Sequence, residues 1–268
     1  MSFADWVEKF KDYWRENTLA QSDGDTGDSS QRIGTFWALI GLQNLAVSMN
    51  FYVDTVKAHE IYPGRYMRSP VKGYWGNDPT NFSRDQHSIL MIAFAVMGDK
   101  LRLKKSMLEI FKRAGFHQNF LRGTDDIPRK WKCPDFLTPF ELTVAIRGLG
   151  LWYLYPVLLV LDLAFFLDFW FRKLHVWDYD NMMATNLFYA SKVLPTPWSR
   201  ISFHAYELTD FKQRIHHYHT SSNGIKPLYD LFISTYDHLR GKYAENFIDR
   251  LLIRFFKLWN KTDRSGKL

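Results

Sequence analysis

The sequence predicts an all-α protein, because apolar residues recur at helical spacing along most of its 268 residues while strand signals are almost absent. No Asn-Gly turn lies between alternating apolar and polar runs, and no strand–helix–strand rhythm appears. Apolar residues make up 46% and charged residues 24%, which excludes a disordered chain and a multi-span membrane protein. We therefore expect a single helical domain over residues 1–268, with a sizeable core.

The predicted helices divide into an N-terminal segment, a core and a C-terminal segment. An amphipathic helix is expected within 1–20, and the Gly-, Asp- and Ser-rich stretch 21–30 is the clearest loop. The core covers 23–195 and repeats a unit of loop, apolar helix, turn and second helix. Such units begin near Ser29, Arg84, Asp135 and Asp180. Residues 196–268 contribute the C-terminal helices.

Helical spacing and breaking residues place the individual elements. Helices are predicted over 31–51, 84–97, 100–114, 135–147 (or from Pro139), 151–174, 181–194, 226–240 and 244–261. Long loops are predicted over 61–83 and 115–134, and a short one over 175–180. Loops as long as the first two are often functional inside a compact domain.

Composition limits the function only weakly. Lys and Arg number 35 against 28 Asp and Glu, and the net charge of +7 mildly favours an anionic polymer as partner. The lone Cys133 excludes an intramolecular disulfide. The N-terminal residues do not have the pattern of a secretory signal, and the compartment, cytoplasmic or membrane-peripheral, stays open. No nucleic-acid motif accompanies the basic helix at 100–114, so nucleic acid is not an expected partner.

Acidic residues precede or begin the helix of each repeated unit. They are Asp23, Asp25 and Asp28, then Asp78 and Asp85, then Asp125, Asp126 and Asp135, then Asp178 and Asp180. An Asp at a helix start can cap free backbone N–H groups, and capping accounts for most of these residues singly. If the four helices are parallel neighbours, however, their N-termini and loops meet at one rim, where the carboxylates would surround a cleft.

Arginine and aromatic residues accompany two of these acidic clusters. Arg32 follows Asp28 by one turn, and Arg84 directly precedes Asp85. Salt-bridged helix caps and a functional role both fit these pairs. Tyr74 and Trp75 lie upstream of the second pair and could stack on a pyranose ring, or Trp75 could simply anchor its loop in the core.

Helical hairpins with acidic loops before the inner helices resemble the (α/α) toroid of carbohydrate-active enzymes, both glycosidases and polysaccharide lyases. The Arg84-Asp85 pair is similar to substrate-binding pairs in some of those families. Fewer hairpins are visible than a closed six-hairpin toroid requires, so the expected arrangement is toroid-like and incomplete.

The resemblance implies a glycoside hydrolase that acts on an oligosaccharide or polysaccharide with two carboxylates, one as acid and one as base or nucleophile. Asp28 and Asp85 are the expected catalytic pair. The expected substrate-binding residues are Arg32, Arg84, Gln86, Tyr74, Trp75, His117, Asn119, Asp135 and Asp180. A polysaccharide lyase is the enzymatic alternative, with a base such as His117, beside Gln118 and Asn119, near an arginine that neutralises a uronate.

Two non-enzymatic alternatives stay open. The first is a membrane-associated helical protein held through 151–174 and 247–261, with 151–174 as a core or interfacial helix because Asp162 and Asp168 would be costly inside a bilayer. The second is a helical protein that binds another protein through its aromatic loops. No cofactor is expected; Asp23, Asp25 and Asp28 resemble a calcium loop but lack the order and distal Glu of an EF-hand.

Overall fold

The computed structural model describes residues 5, 8, 29–68, 82, 84–114, 139–172, 177–205 and 226–264. Of these, 82% are helical, so the predicted all-α class is confirmed. The long helices are α1 (Ser29–Leu42), α2 (Met49–His59), α3 (Arg84–Val96), α4 (Lys100–Ala114), α5 (Pro139–Leu149), α6 (Tyr155–Arg172), α7 (Trp177–Lys192), α8 (Pro197–Ala205), α9 (Lys226–Tyr243) and α10 (Phe247–Arg264). A 3-10 turn, Trp152–Leu154, leads into α6.

Four elements differ from the sequence prediction, and one of them is α8, which lies where no individual helix is predicted. The helix predicted over 31–51 is divided into α1 and α2 by a turn at Asn44, whose φ is 55°. The predicted loop 61–83 contains part of a two-stranded antiparallel hairpin, β1 (Glu60–Tyr62) and β2 (Arg65–Tyr66). Helix α7 begins at Trp177, inside the predicted loop 175–180, because an Asp-rich sequence suits the first turn of a helix as well as a loop.

The first three hairpins turn through the same backbone motif. The N–H groups of Leu45, Asp99 and Leu151 each reach back to a carbonyl five residues earlier, and the residue before each has a positive φ. This is the Schellman arrangement, in which a left-handed residue ends the helix and satisfies its last carbonyls. Two of the left-handed positions are glycines, Gly98 and Gly150, as the chirality of L-residues favours.

Helices α1 and α3 are parallel and in close contact. Gly34 faces Ile89 and Leu90, and one helical heptad later Gly41 faces Val96. The same offset of 55 residues at both contacts (34 to 89, and 41 to 96) means that the two chains run in the same direction. Their N-termini therefore lie at one end of the pair.

Helices α5 and α7 join this pair in the same direction. At the N-terminal end His87 of α3 contacts Glu141 of α5, and at the C-terminal end Gly148 of α5 faces Ala95 of α3. The C-terminal end of α7 lies beside the C-terminal end of α1, where Lys192 donates to the Leu42 carbonyl. We call α1, α3, α5 and α7 the inner helices. Whether the outer helices close a toroid around them stays a prediction.

Aromatic residues make up 17% of the chain, and many of them lie in the core between the helices. Trp37 makes edge contacts with Phe36, Phe51 and Tyr52, at centroid distances of 4.9–5.4 Å. A second group joins the C-terminal helices to the inner ones, with Phe188 of α7 against Phe232 of α9 at 4.8 Å. These rings stabilise the packing and are not available to a ligand.

We expect Gly34→Ala to destabilise the protein, although alanine is the better helix former. A β-carbon at this position would overlap the Ile89 side chain and lie 3.1 Å from its backbone, so α1 and α3 would have to separate. Overpacking of this kind costs about 1–3 kcal/mol. Chemical denaturation measures the change in the free energy of unfolding.

Gly241→Ala is the matched control, because a β-carbon at Gly241 of α9 meets no atom within 4 Å. This variant should be neutral or stabilised by up to about 1 kcal/mol, as helix propensity predicts. Equal effects at the two glycines would contradict the close packing of α1 on α3.

Candidate functional site

Polar side chains are buried at the N-terminal end of the inner helices. They are Ser29, Ser30, Gln31 and Arg32 of α1, Gln86, His87 and Ser88 of α3, and Glu141 and Thr143 of α5. Burying such groups costs free energy unless each finds a hydrogen-bond partner. The end of the bundle that the sequence predicts as the functional rim therefore carries a group of buried polar side chains.

A buried Ser–His–Glu cluster joins three helices at this end. Nδ1 of His87 lies 2.7 Å from a Glu141 carboxylate oxygen, and Nε2 lies 2.7 Å from the Ser106 hydroxyl. Ser88 donates to the same Glu141 oxygen at 2.9 Å. Phe82 packs edge-on against the imidazole. We refer to His87, Ser88, Ser106 and Glu141 as the His87 cluster.

The order Ser–His–Glu is that of an activated nucleophile, its base and the group that orients the base. Ser106, however, lies within α4 and is only 1% exposed, so an acyl substrate does not reach its hydroxyl in this structure. The cluster ties α3 to α4 and α5, and it holds the N-terminal ends of two inner helices in register.

A second buried histidine ties the first residue of α1 to the end of α2. His59 Nδ1 lies 2.8 Å from the Thr55 carbonyl oxygen, to which it donates, so Nε2 accepts the hydrogen bond of the Ser29 hydroxyl at 2.9 Å. Burial disfavours the charged ring and lowers the pKa of His59 from 6.5 to about 4. Ser29, the partner of His59, directly follows Asp28, which is one of the two predicted catalytic residues.

Acid should destabilise the protein through His59. Between pH 6.5 and about 4 the unfolded chain protonates this histidine and the folded chain does not, because its folded pKa is about 4. The free energy of unfolding should therefore fall by about 3 kcal/mol as the pH drops through that window. Urea denaturation near neutral pH and near pH 4 measures the change.

His59→Gln removes the titrating group and should remove that part of the pH dependence. His238→Gln is the control, because the exposed His238 ring is hydrated in both the folded and the unfolded chain. A pH dependence that survives in His59→Gln, or that disappears in His238→Gln, would contradict the assignment.

Two predicted site residues, Arg32 and Gln86, have described side chains, and the structure brings them to one level. Arg32 is 2% exposed in the first turn of α1, and Gln86 is fully buried in the first turn of α3. The offset of 55 residues between these helices aligns Arg32 with His87, directly after Gln86. Nearby, the buried Ser30 hydroxyl has no hydrogen-bond partner among the described residues.

The remaining predicted residues lie wholly or partly outside the described part of the chain. Those wholly outside are Asp23, Asp25, Asp28, Tyr74, Trp75, His117, Asn119 and Asp135. For Arg84, Asp85 and Asp180 the description includes the helical backbone but not the side chains. Arg84 and Asp85 are the first two residues of α3, and Asp180 is the fourth of α7.

Among the described residues there is neither a cluster of metal ligands nor a membrane span. Nowhere among them do three or more His, Cys, Asp or Glu side chains cluster closely enough to hold an ion. Across the same residues no helix combines the length and apolar character that crossing a bilayer demands. In α6, Asp162 is buried and paired with Arg147 of α5, so this part of the segment 151–174 belongs to the core.

Sequence reasoning missed His59, His87 and Glu141, although the polar residues in the first turns of apolar helices gave a partial signal. Their side-chain partners on other helices lie 19 to 54 residues away, beyond the reach of any local pattern. Comparisons of this chain with protein families, with curated proteins and with solved structures find no match.

Proposed function

We propose that the protein is a carbohydrate-active enzyme, a glycoside hydrolase whose catalytic carboxylates are Asp28 and Asp85. The observation that supports it most is the parallel direction of the inner helices, since this brings their N-termini to one end of the core. Antiparallel neighbours would send the acidic segments to opposite ends, and no common cleft could form.

Chain position favours these two carboxylates. Asp28 directly precedes the first residue of α1, and Asp85 is the second residue of α3. Axes of packed helices lie about 8–10 Å apart. Inverting glycosidases separate their carboxyl groups by about 6.5–9.5 Å and retaining ones by about 5–5.5 Å. Two acids on adjacent helix starts can meet either requirement through their side-chain rotamers.

The reaction needs one protonated and one ionised carboxyl group. An arginine beside a carboxyl group favours its ionised form. The carboxyl group that acts as the acid is therefore the one less well paired with Arg32 or Arg84. Of the other proposed residues, Tyr74, Trp75, His117, Asn119, Asp135 and Asp180 would bind sugar hydroxyls or stack on sugar faces. Gln86, which is fully buried, would support the site from behind rather than contact the sugar. The buried His87 cluster would act only by holding α3 and α5 in place.

Asp28→Asn and Asp85→Asn test the proposal. Each should lower the hydrolysis of a responsive glycan by about 10²–10⁴-fold, because each removes a group that transfers a proton or attacks the sugar. Asp54→Asn is the matched control, since Asp54 is exposed on α2, and it should keep full activity. Thermal unfolding checks that the variants remain folded.

A panel of neutral and uronate-containing oligosaccharides, read by reducing ends, identifies the substrate class. Products with a new double bond, which absorb in the ultraviolet, would replace the hydrolase by a lyase. Full activity in both Asp28→Asn and Asp85→Asn, or no turnover of any glycan by the parent, would overturn the proposal.

A further inference from the structure

Helix α10 exposes an apolar face that the protein core does not cover. Phe247, Ile248 and Leu258 are 66%, 62% and 67% exposed, and the face also includes Leu251 and Phe255. At 100° per residue these side chains fall within an arc of about 100° on one side of the helix. Contiguous exposed apolar surface of this kind marks an interaction site more often than a solvated face.

A basic stripe runs along one border of the apolar face. Arg250, Arg254 and Lys257 are exposed and lie within an arc of about 60°, next to the apolar arc. The acidic residue in this part of α10, Asp249, points to the opposite, buried side. The exposed surface over 247–258 therefore combines apolar and positive side chains.

Contacts on the buried side fix the rotation of α10. Asp249 accepts hydrogen bonds from Arg200 at 3.1 Å and from His204 at 2.9 Å, both on α8. Phe256 lies on the same face of the helix as Asp249 and is only 5% exposed. Turning the apolar face inward would expose Phe256 and break both polar contacts, so the face is held outward.

We propose that α10 attaches the protein to the surface of an anionic phospholipid membrane, with the helix axis in the plane of the membrane. An interfacial helix inserts its apolar arc at the level of the headgroups and places cations beside anionic lipid. The apolar arc and its basic border fit this partner in both respects. The inference does not depend on the proposed hydrolase activity.

Flotation of the full chain with lipid vesicles tests the proposal. The parent should float with vesicles of phosphatidylcholine containing about one third phosphatidylserine, and only weakly with pure phosphatidylcholine. Salt should reduce the binding, because it screens the basic stripe. Ile248→Asp/Leu251→Asp and Arg250→Gln/Arg254→Gln should each weaken binding to the anionic vesicles by about tenfold or more.

Helix α4 supplies matched controls with exposed side chains of the same types. Leu101→Asp/Leu108→Asp and Lys100→Gln/Lys104→Gln should float like the parent. Circular dichroism and thermal unfolding check that each variant is folded; if the aspartate pair unfolds the chain, Ile248→Ser/Leu251→Ser replaces it.

Three results would overturn the proposal: no flotation of the parent with anionic vesicles, equal loss in the α4 controls, or binding that survives both α10 variants. Size-exclusion chromatography with light scattering tests whether a second copy of this chain, rather than a membrane, covers the apolar face. A dimer that Ile248→Asp/Leu251→Asp dissociates, with no vesicle binding by the parent, would assign the face to a second copy of this chain instead.

Discussion

Replacing Glu141 by alanine should lower the free energy of unfolding by about 3–5 kcal/mol. Its carboxylate is fully buried and accepts hydrogen bonds from His87 and Ser88. Without it, the donors on α3 would face an interior that water does not reach, and each buried unsatisfied group costs about 1–3 kcal/mol. Urea denaturation with a two-state fit measures the loss.

Two further variants separate hydrogen bonding from charge and from general effects of mutation. Glu141→Gln retains a carbonyl that can accept from His87, so we expect it to lose about half as much as Glu141→Ala. Glu109→Ala removes an ion pair whose partner, Arg65, is 40% exposed, and it should cost no more than about 1 kcal/mol. A Glu141→Ala variant as stable as Glu109→Ala would show that the His87 cluster does not hold the helices.

The helix starts could be predicted because their signals are local. Inner helices beginning at Ser29 and Arg84 follow from apolar periodicity after polar loops, and the turns at Gly98 and Gly150 follow from glycine at a helix end. The turn at Asn44 also has a local cause, since asparagine tolerates a left-handed backbone. The helical spacing of the apolar residues continues through this turn, so the sequence predicts one helix where the structure has two.

The sequence does not predict that the inner helices are parallel. It indicates only that a common cleft requires them to be parallel. The parallel packing of α1 on α3 depends on the contact between Gly34 and Ile89. A glycine inside a helix does not indicate which other helix will pack against it. Helix hairpins of short turns make sequential helices antiparallel, so alternate helices can be parallel. That the alternate helices also touch one another is a tertiary fact.

The candidate site likewise has one part that local sequence signals predict and another part that only the fold brings together. Arg32 and Gln86 were predicted from first-turn positions, and both lie buried at the shared end of α1 and α3. The His87 cluster is assembled from α3, α4 and α5, whose polar residues have no fixed spacing in the chain. Periodicity can show that a buried helix carries a polar residue, but only the fold supplies its partner.

The apolar segment 151–174 illustrates how one pattern can serve two environments. Along α6, Leu158 and Asp162 are buried, whereas Val157 and Val160 are 48% and 67% exposed. Because apolar residues occupy both faces, hydropathy alone does not indicate which face meets the core. The position of Asp162 decides it, since a carboxylate in the interior requires a partner and Arg147 provides one.

The second large effect is expected at Asp162, where alanine should cost about 3–5 kcal/mol. The carboxylate accepts two hydrogen bonds from the guanidinium of Arg147, which itself donates to the carbonyl oxygens of Val193 and Leu194. Leu194 has a φ of 44°, a left-handed conformation that costs a branched residue free energy. Arg147 therefore provides hydrogen bonds to the backbone carbonyl groups that follow α7, at the point where the backbone is strained.

The same carboxylate also accepts a hydrogen bond from Thr196, the residue before α8. Thr196 and Ser199 cap the helix reciprocally, each side chain accepting from the other's backbone N–H, at 2.9 and 3.2 Å. Asp162→Ala would thus loosen the end of α7 and the start of α8 together. Thr196→Val, which removes the cap but leaves the ion pair, should cost about 1–2 kcal/mol.

The Arg147–Asp162 pair distinguishes a stabilising interaction from one that is merely expensive to break. Arg147→Met should also lose about 3–5 kcal/mol, because it leaves the buried Asp162 carboxylate with Thr196 alone among its described partners. In Arg147→Met/Asp162→Leu no charge remains unpaired, so we expect the double variant to recover much of that loss and to be less destabilised than either single one. Losses that add in the double variant would mean that the two residues act independently, and the link between α5, α6 and the α7–α8 turn would have to be abandoned.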